Sequence, residues 1–527
     1  MHESSSSPGG KILSRRRFLT AAGAAGATFA VAQVPFATGR PAPPRLTGYP
    51  FTLGVASGDP APDGAVLWTR LAPAPLSGGG MPDQPFPVRW EVARDEAFRH
   101  VVRRGEELAT LDEAHSVHVE LRGLDAGREY FYRFIAGGEA SPVGRTKTAP
   151  GHHVSALAFA FASCQQYEHG YYTAYRHMAN EDLDLVVHLG DYIYEYGTNE
   201  YTSAGGNVRA HSSREIVDLG DYRNRHAQYK TDPDLQAAHA AFPWLVTFDD
   251  HEVDNNWADE IPEDGQPHDA FMRRRTAAFR AYWEHMPLPR SARPVGADMS
   301  IYRRGAFGDL ATFHVLDTRQ FRSDQPCGDR FATNCAERID PARSITGARQ
   351  EGWLFDGLAR SRGRWNVIAQ QVFMAQQDFV AGPGEGFNPD SWDGYVASRD
   401  RLLRFIDERD VANPMVITGD VHANWAADLK ADFHDPDSRT LGSEWVGTSI
   451  ATTGDGVDTT AGNQAVLTEN PHIKFNNVQR GYVRCALDHD RWQTDFRVVP
   501  YVKRPGAPIS TRASFVVEAG NPGLQPA

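Results

Sequence analysis

Cysteine is scarce. Four in 527 residues are too few to build a disulfide-based scaffold, though enough for one staple and one or two specialised thiols. A surplus of positive charge is also missing: 67 acidic residues outweigh 54 Lys and Arg, for a formal net charge of -13. That balance speaks against the phosphate backbone of a nucleic acid as a stable partner. No apolar run reaches the roughly 20 residues a helix needs to cross a bilayer. Outside the first 40 residues there is no low-complexity tract, and no internal repeat anywhere. The length must therefore be filled by ordinary packed domains, and 58.2 kDa implies two of them. With 41% hydrophobic and 23% charged residues, the composition is that of a soluble globular protein.

The N-terminus is the exception. Ser14-Arg15-Arg16-Arg17-Phe18-Leu19-Thr20 precedes a weakly apolar stretch, Ala21 to Ala32, rich in Ala and Gly. This pattern reads as a twin-arginine export signal, with Ala30-Val31-Ala32 as the cleavage site and residues 1–40 as signal plus linker. Cleavage removes a net +3 (Lys11, Arg15, Arg16 and Arg17 against Glu3) and leaves -16. The expected location is periplasmic or extracellular, and the expected partner is the twin-arginine export machinery. Export also makes sense of the cysteines. Cys327 and Cys335 bracket a polar loop and are close enough in sequence to bridge, while Cys485 alternates like a buried strand residue. Cys164 is left unpaired at a strand end, where metal ligation would account for it.

Residues 46–150 carry short alternating runs separated by Gly, Pro and Asp, among them 65–69, 88–92, 116–121 and 130–134. Such spacing predicts a small antiparallel β-sandwich. From 151 to 527 apolar strands alternate with helical stretches at 171–179, 221–242, 268–285 and 349–361, which predicts a mixed α/β core. The polar connection 198–219 is long enough to act as a lid or rim.

Four polar clusters each close an apolar run in that core: Ser163-Cys164-Gln165, Gly190-Asp191-Tyr192-Ile193-Tyr194, Asp249-Asp250-His251-Glu252 and Gly419-Asp420-Val421-His422. Strand ends are where α/β sheets bind ligands. Several carboxylates enclosed there would repel one another without cations. Asp191 and Asp250 are candidate ligands, as are Asp420 and His422, which alternate along a strand end and face one side. The soft donor Cys164 beside the phenol of Tyr194 points to iron for one metal, leaving oxygen-only positions for calcium or another hard ion. His251 is a candidate acid for a leaving alkoxide. Asn424 at the rim, with Arg209, Arg214 and Arg225, could clamp phosphate oxygens. The residues thus read as a metal-dependent phosphoester hydrolase.

These motifs, with Gly54-Val55-Ala56-Ser57-Gly58-Asp59-Pro60 and Thr247 to Asn256, resemble the PhoD family of alkaline phosphatases and phosphodiesterases, among the calcineurin-like and purple-acid-phosphatase-like metallophosphoesterases. The resemblance implies an α/β (αββα) sandwich core. It implies iron(III) on Cys164, Asp191, Tyr194 and His422, and calcium on Asp191, Asp250 and Asp420. A further calcium would fall to Asp254 and Asn255. The implied reaction is hydrolysis of phosphomonoesters, and of phosphodiesters too, by a metal-activated hydroxide. Two other readings stay open: a phospholipase D of the same architecture, which would touch membranes through its lipid substrate, and a non-catalytic calcium-stabilised binding protein.

Overall fold

The computed structural model describes residues 46, 48–263 and 265–527. The export signal expected within 1–40 lies outside the described residues.

The apolar runs become strands because they are buried on both sides. Ala156–Ala162, Leu185–His188 and Pro243–Val246 pair in parallel, as do Ala311–Val315, Trp365–Ala369, Pro414–Thr418 and Thr440–Val446. The first set lies in a ten-stranded sheet and the second in a seven-stranded sheet. The two pack face to face: Phe159, Phe161, Val187 and Leu245 of one meet Phe313, Val367 and Ile417 of the other in one apolar layer. Helices Thr173–Met178, Leu219–Lys230, Pro233–Ala241 and His268–His285 cover the outer face of the larger sheet. Gly347–Arg360 and Val396–Glu408 cover the smaller. The result is the helix–sheet–sheet–helix sandwich expected from the resemblance. Since the central strands of each sheet are parallel, their C-terminal ends share one edge, and the four polar clusters emerge there.

Residues 55–147 fold as two facing antiparallel leaves. Val55, Leu67 and Val117 on strands Val55–Ala61, Gly64–Arg70 and Ser116–Glu120 pack against Val88, Tyr132 and Phe134 on the other leaf. One leaf is not separate from the core: Val55–Ala61 pairs in parallel with Pro243–Val246, Ser57 opposite Pro243, so the ten-stranded sheet runs on across residue 150.

The helical stretch read over 221–242 is two helices. Thr231 closes the first and Asp232 caps the second, its Oδ1 accepting from the Asp234 and Leu235 amides (2.9 and 3.2 Å), and Pro233 takes the first helical position, where its missing N–H is harmless. After Gly447 the strand read around Cys485 forms as Arg480–Asp488, and it is joined by elements without a signal in the pattern: helix Ala461–Glu469, strand Ile473–Asn477, and hairpin Ser510–Glu518/Asn521–Pro526, which extends the larger sheet.

Candidate metal centre

The chain leaves each strand through a sharp turn. Cys164, Asp191, Asp420 and His422 all have φ between +54° and +63°, in the left-handed region that costs a non-glycine residue about 1 kcal/mol or more. The turns are pinned to one another: the Cys164 amide donates to Gly190 O (3.2 Å) and the Gln165 amide to Asp191 O (3.0 Å). Gly190, at φ +115°, lets its turn press on the Asp249 turn, where a Cβ would come within 2.4 Å of the Asp249 Cβ. Four chain segments distant in sequence are thus forced into one pocket.

The donors converge as overlapping sets. Cys164, Asp191 and His422 form one, Asp191, Asp250 and His251 a second, and Asp249, Asp250 and Asp420 a third, with donor atoms within 4.8 Å of one another in each. Tyr194 joins the first set through its hydroxyl, which donates to Asp191 Oδ2 (2.8 Å), lies 3.3 Å from His422 Nε2 and accepts from Thr452 Oγ1 (2.9 Å). Asp191 and Asp250 are each shared between two sets, the arrangement expected of ligands that bridge neighbouring cations.

The donor set fits metal ions. Asp191 Oδ1, Asp249 Oδ2 and Asp250 Oδ1 are buried without a hydrogen-bond partner, a costly state for a carboxylate. Burial, followed by repulsion from neighbouring acids, raises Asp420 and Cys164 well above their ordinary values; Asp191 rises likewise, against some relief from His251. Burial opposes ionisation of Asp250 too, but Arg319 and His251 outweigh it and hold that carboxyl below the usual range. His422 is pushed down to about 3 by burial and then by Arg480 and His251, which keeps the imidazole neutral, with one ring nitrogen free to ligate. A cation would relieve the burial and repulsion borne by Asp191, Asp420 and Cys164.

Residues not singled out in the sequence hold the pocket in shape. Glu252 accepts from the amides of Asp191, Tyr192 and Asp249 (3.1, 2.6 and 2.8 Å), tying two clusters together. Arg319, fully buried, donates to Asp249 Oδ1 (2.6 Å) and in two parallel bonds to Asp390 (2.9 Å each). Glu195 accepts from His251 Nδ1 (2.8 Å) and the Asn255 amide (3.0 Å). With Asp250 and Asp191 it keeps His251 raised well above the usual histidine value, against the burial that would lower it. Arg480 holds the His422 carbonyl (2.6 Å) and Ser449 Oγ (2.7 Å).

Other expected residues are placed elsewhere. Asn424 is fully buried in strand Asn424–Lys430 rather than at the rim, its amide accepting from the Thr448 N–H (3.0 Å) and donating to Asn477 (3.3 Å). Asp254 is ion-paired with Arg274 at 3.0 Å, and the Asn255 side-chain Nδ2 donates to Glu263 at 2.5 Å, so both are engaged away from the donor sets. Arg209 is bound to Asp232 (2.6 Å) and stacked 3.8 Å over Tyr167, Arg225 is buried on the Tyr194 and Tyr196 carbonyls, and Arg214 is exposed. None of the three belongs to the donor cluster. The connection 198–219 is a tethered rim: buried Glu168 takes the amides of Asn199 (3.1 Å) and His211 (2.9 Å). Its Tyr201 packs against Tyr194 and Tyr196, with ring centroids 6.3 and 5.4 Å away. The Cys327–Cys335 disulfide forms, and Asp329 inside its loop accepts from Asn256 at 2.7 Å. Cys485 is a buried strand residue.

Buried nitrogen, oxygen and sulfur donors at the strand ends of a four-layered α/β sandwich define a class, the metal-dependent hydrolases. A family model for PhoD-like phosphatases matches residues 159–496, and one for the N-terminal domain of PhoD-like phosphatases matches residues 38–150. Alkaline phosphatase D of Bacillus subtilis (strain 168) is 57% identical over 486 residues, covering 92% of this chain and 83% of that protein. A solved structure of PhoD superposes with a TM-score of 0.91 at 56% identity, over 92% of this chain and 93% of that one. The chain belongs to the PhoD-like phosphatase family, and it is a phosphoric ester hydrolase.

Proposed function

We propose that the protein is an exported alkaline phosphatase that cleaves phosphomonoesters and also phosphodiesters, with iron(III) and calcium in its pocket. The observation that carries this reading is the set of orphaned carboxylate oxygens on Asp191, Asp249 and Asp250 beside a buried thiol and a neutral imidazole. Cys164, Asp191, Tyr194 and His422 would hold iron, whose preference for thiolate and phenolate suits them; Asp191, Asp250 and Asp420, with Asp249 adjacent, would hold calcium. When bound, the ions lower the pKa of water and offset phosphoryl charge. The chain's own residues do the rest. In hydrolysis a water oxygen bonds to phosphorus as the ester P–O bond breaks, and the departing alkoxide takes a proton. Glu195 fixes His251 Nδ1 as a donor, which leaves Nε2 to carry the proton that the alkoxide needs. Arg319 supplies a fixed positive charge behind Asp249 and Asp250, so that those carboxylates keep one geometry as substrate enters.

The twin-arginine motif at residues 15–17 supports export through the machinery that carries folded proteins, which suits an enzyme that loads its metals before leaving the cytoplasm. The purified protein should contain iron and calcium, show a thiolate or phenolate charge-transfer band, and lose turnover reversibly to EGTA. A panel of p-nitrophenyl phosphate, its bis ester and phosphatidylcholine distinguishes monoesterase, diesterase and phospholipase. Protein lacking iron and turning over none of the three would sink the proposal and favour a calcium-stabilised binding protein.

A further inference from the structure

A second group of mixed donors lies away from the catalytic pocket. His153, Asp309 and His489 bring their donor atoms within 4.8 Å of one another. His153 Nδ1 is 3.0 Å from Asp309 Oδ2, and His489 Nε2 is 3.6 Å from Asp309 Oδ1 and 3.0 Å from the Val154 carbonyl. The two imidazoles stack with centroids 4.8 Å apart. We propose that these three side chains form a structural site for one borderline divalent transition ion of the zinc type, with water completing the coordination.

The donors come from three parts of the fold: His153 from the segment leading into the core, Asp309 from the turn between strands Arg303–Phe307 and Ala311–Val315 of the smaller sheet, and His489 from the hairpin between Arg480–Asp488 and Arg491–Val499 of the larger. Each turn is locked by its backbone. The Gly308 amide donates to Pro150 O (3.1 Å), and Gly308, at φ +59°, lets the Asp309 turn lie on the His152 carbonyl, which a Cβ would meet at 1.9 Å. The Val154 amide donates to Asp309 Oδ1 (3.3 Å). Arg364 joins the other two turns, its amide donating to Asp309 O (2.9 Å) and its Nε to His489 O (2.8 Å). The turns that carry the donors are thus already fixed, and an ion would have to displace only the proton that His489 Nε2 donates to the Val154 carbonyl and to fix the exposed His153 ring.

Two nitrogens and one carboxylate oxygen match zinc, nickel or copper better than calcium. His153, Asp309 and His489 side chains are 70%, 46% and 33% exposed, so solvent can supply both ion and water ligands. Asp488 pairs with Ala156 at the start of the strand whose far end leads to Cys164, which sets this cluster about 20 Å along the sheet from the catalytic pocket. An ion here would clip the two sheets together at the edge opposite the chemistry.

Zinc titrated into the metal-loaded enzyme at pH 8, followed by calorimetry, tests this. Wild type should bind one equivalent more than the His153→Ala/His489→Ala double variant, and Asp309→Asn alone should weaken that event at least tenfold. Phosphatase turnover should stay unchanged in every variant. Copper(II) at the same site should give an electron paramagnetic resonance spectrum with nitrogen splittings that the double variant lacks. Equal zinc uptake by wild type and double variant, or no uptake by wild type, overturns the proposal.

Discussion

Two buried clusters of ionisable groups lie on the same sheet and meet burial in opposite ways. The acidic one, Asp191, Asp249, Asp250 and Asp420 with Cys164, occupies the strand-end edge. The basic one, Lys230 with His188, His226, His239, His285 and Arg70, lies under helices Leu219–Lys230, Pro233–Ala241 and His268–His285. Lys230 Nζ is 3.5 Å from His239 Nε2 and 4.4 Å above the Trp68 ring; His226 stacks on His285 at 5.0 Å; Arg70 lies 2.7 Å from His285 Nε2. The lysine and histidines escape by giving up protons: burial lowers Lys230 to about 7 and His188 to about 3, and holds the other three histidines well below their usual values, whereas Arg70, lowered by burial to about 10 against the pull of Glu284, keeps its charge. Both clusters contain unpartnered atoms. They differ in that the acidic donors converge within 4.8 Å and that Asp420 and His422 are partly exposed, giving an ion a way in. Burial alone does not make a metal site; convergence, a charge that a cation relieves, and access are all needed.

The largest test of that contrast is Asp191→Asn, which keeps the shape but removes a charge from two donor sets at once. Activity should fall by about 10⁴-fold or more, with loss of bound metal by elemental analysis. Cys164→Ala should remove iron and its colour selectively. His239→Gln in the basic cluster should leave metal content intact; metal loss there equal to that of Asp191→Asn would break the comparison.

His251→Gln and Glu195→Gln come next. Both should lower kcat by about 10² to 10³-fold while the metals stay bound, because the pair handles a proton rather than an ion. Metal loss in Glu195→Gln would recast Glu195 as part of the coordination shell. Arg319→Met should act mainly on stability. Removing it leaves Asp249 buried and uncompensated, while Asp390 keeps Arg322 and Gln325, at a cost of about 3–5 kcal/mol in chemical denaturation, and less once metals are loaded.

The acidic cluster was legible in the sequence because each of its segments combines two local signals, an apolar strand and a polar turn. Cys164, Asp191, Tyr194, Asp250, His251, Asp420 and His422 all reach the pocket on that logic. Asn424 was misread by the same logic carried too far: the strand that follows the turn had already begun, so the residue points into the sheet's polar ladder. Asp254 and Asn255 lie beyond the tight turn and are taken by Arg274 and Glu263. Arg319 did carry a usable signal, as it follows the apolar strand Ala311–Val315 at the same sheet edge. Glu195 did not, since its value lies in an amide and a ring brought close only by folding, and Glu252 stood in a visible cluster whose pattern says nothing of the three amides it accepts from. Nor could pattern show that Ser57 pairs with Pro243, a parallel contact that depends on everything between them.

Lys230 gives the smallest effect and the sharpest check on the basic half of the contrast. The unfolded chain holds the lysine proton up to about 10.5, whereas burial makes the folded protein release it near 7. Between those values the unfolded state binds more protons, so stability must rise with pH. This contribution is complete above about 10.5 and is lost as pH falls towards 7. Lys230→Met has no such group. Denaturation at a series of pH values should therefore show wild type gaining on the variant by about 2–4 kcal/mol between pH 7 and 10. That gain would favour the folded enzyme in alkaline conditions. A difference that stays flat with pH would mean that Lys230 keeps its proton when folded, and the basic cluster would then need a buried anion as surely as the acidic one needs a cation.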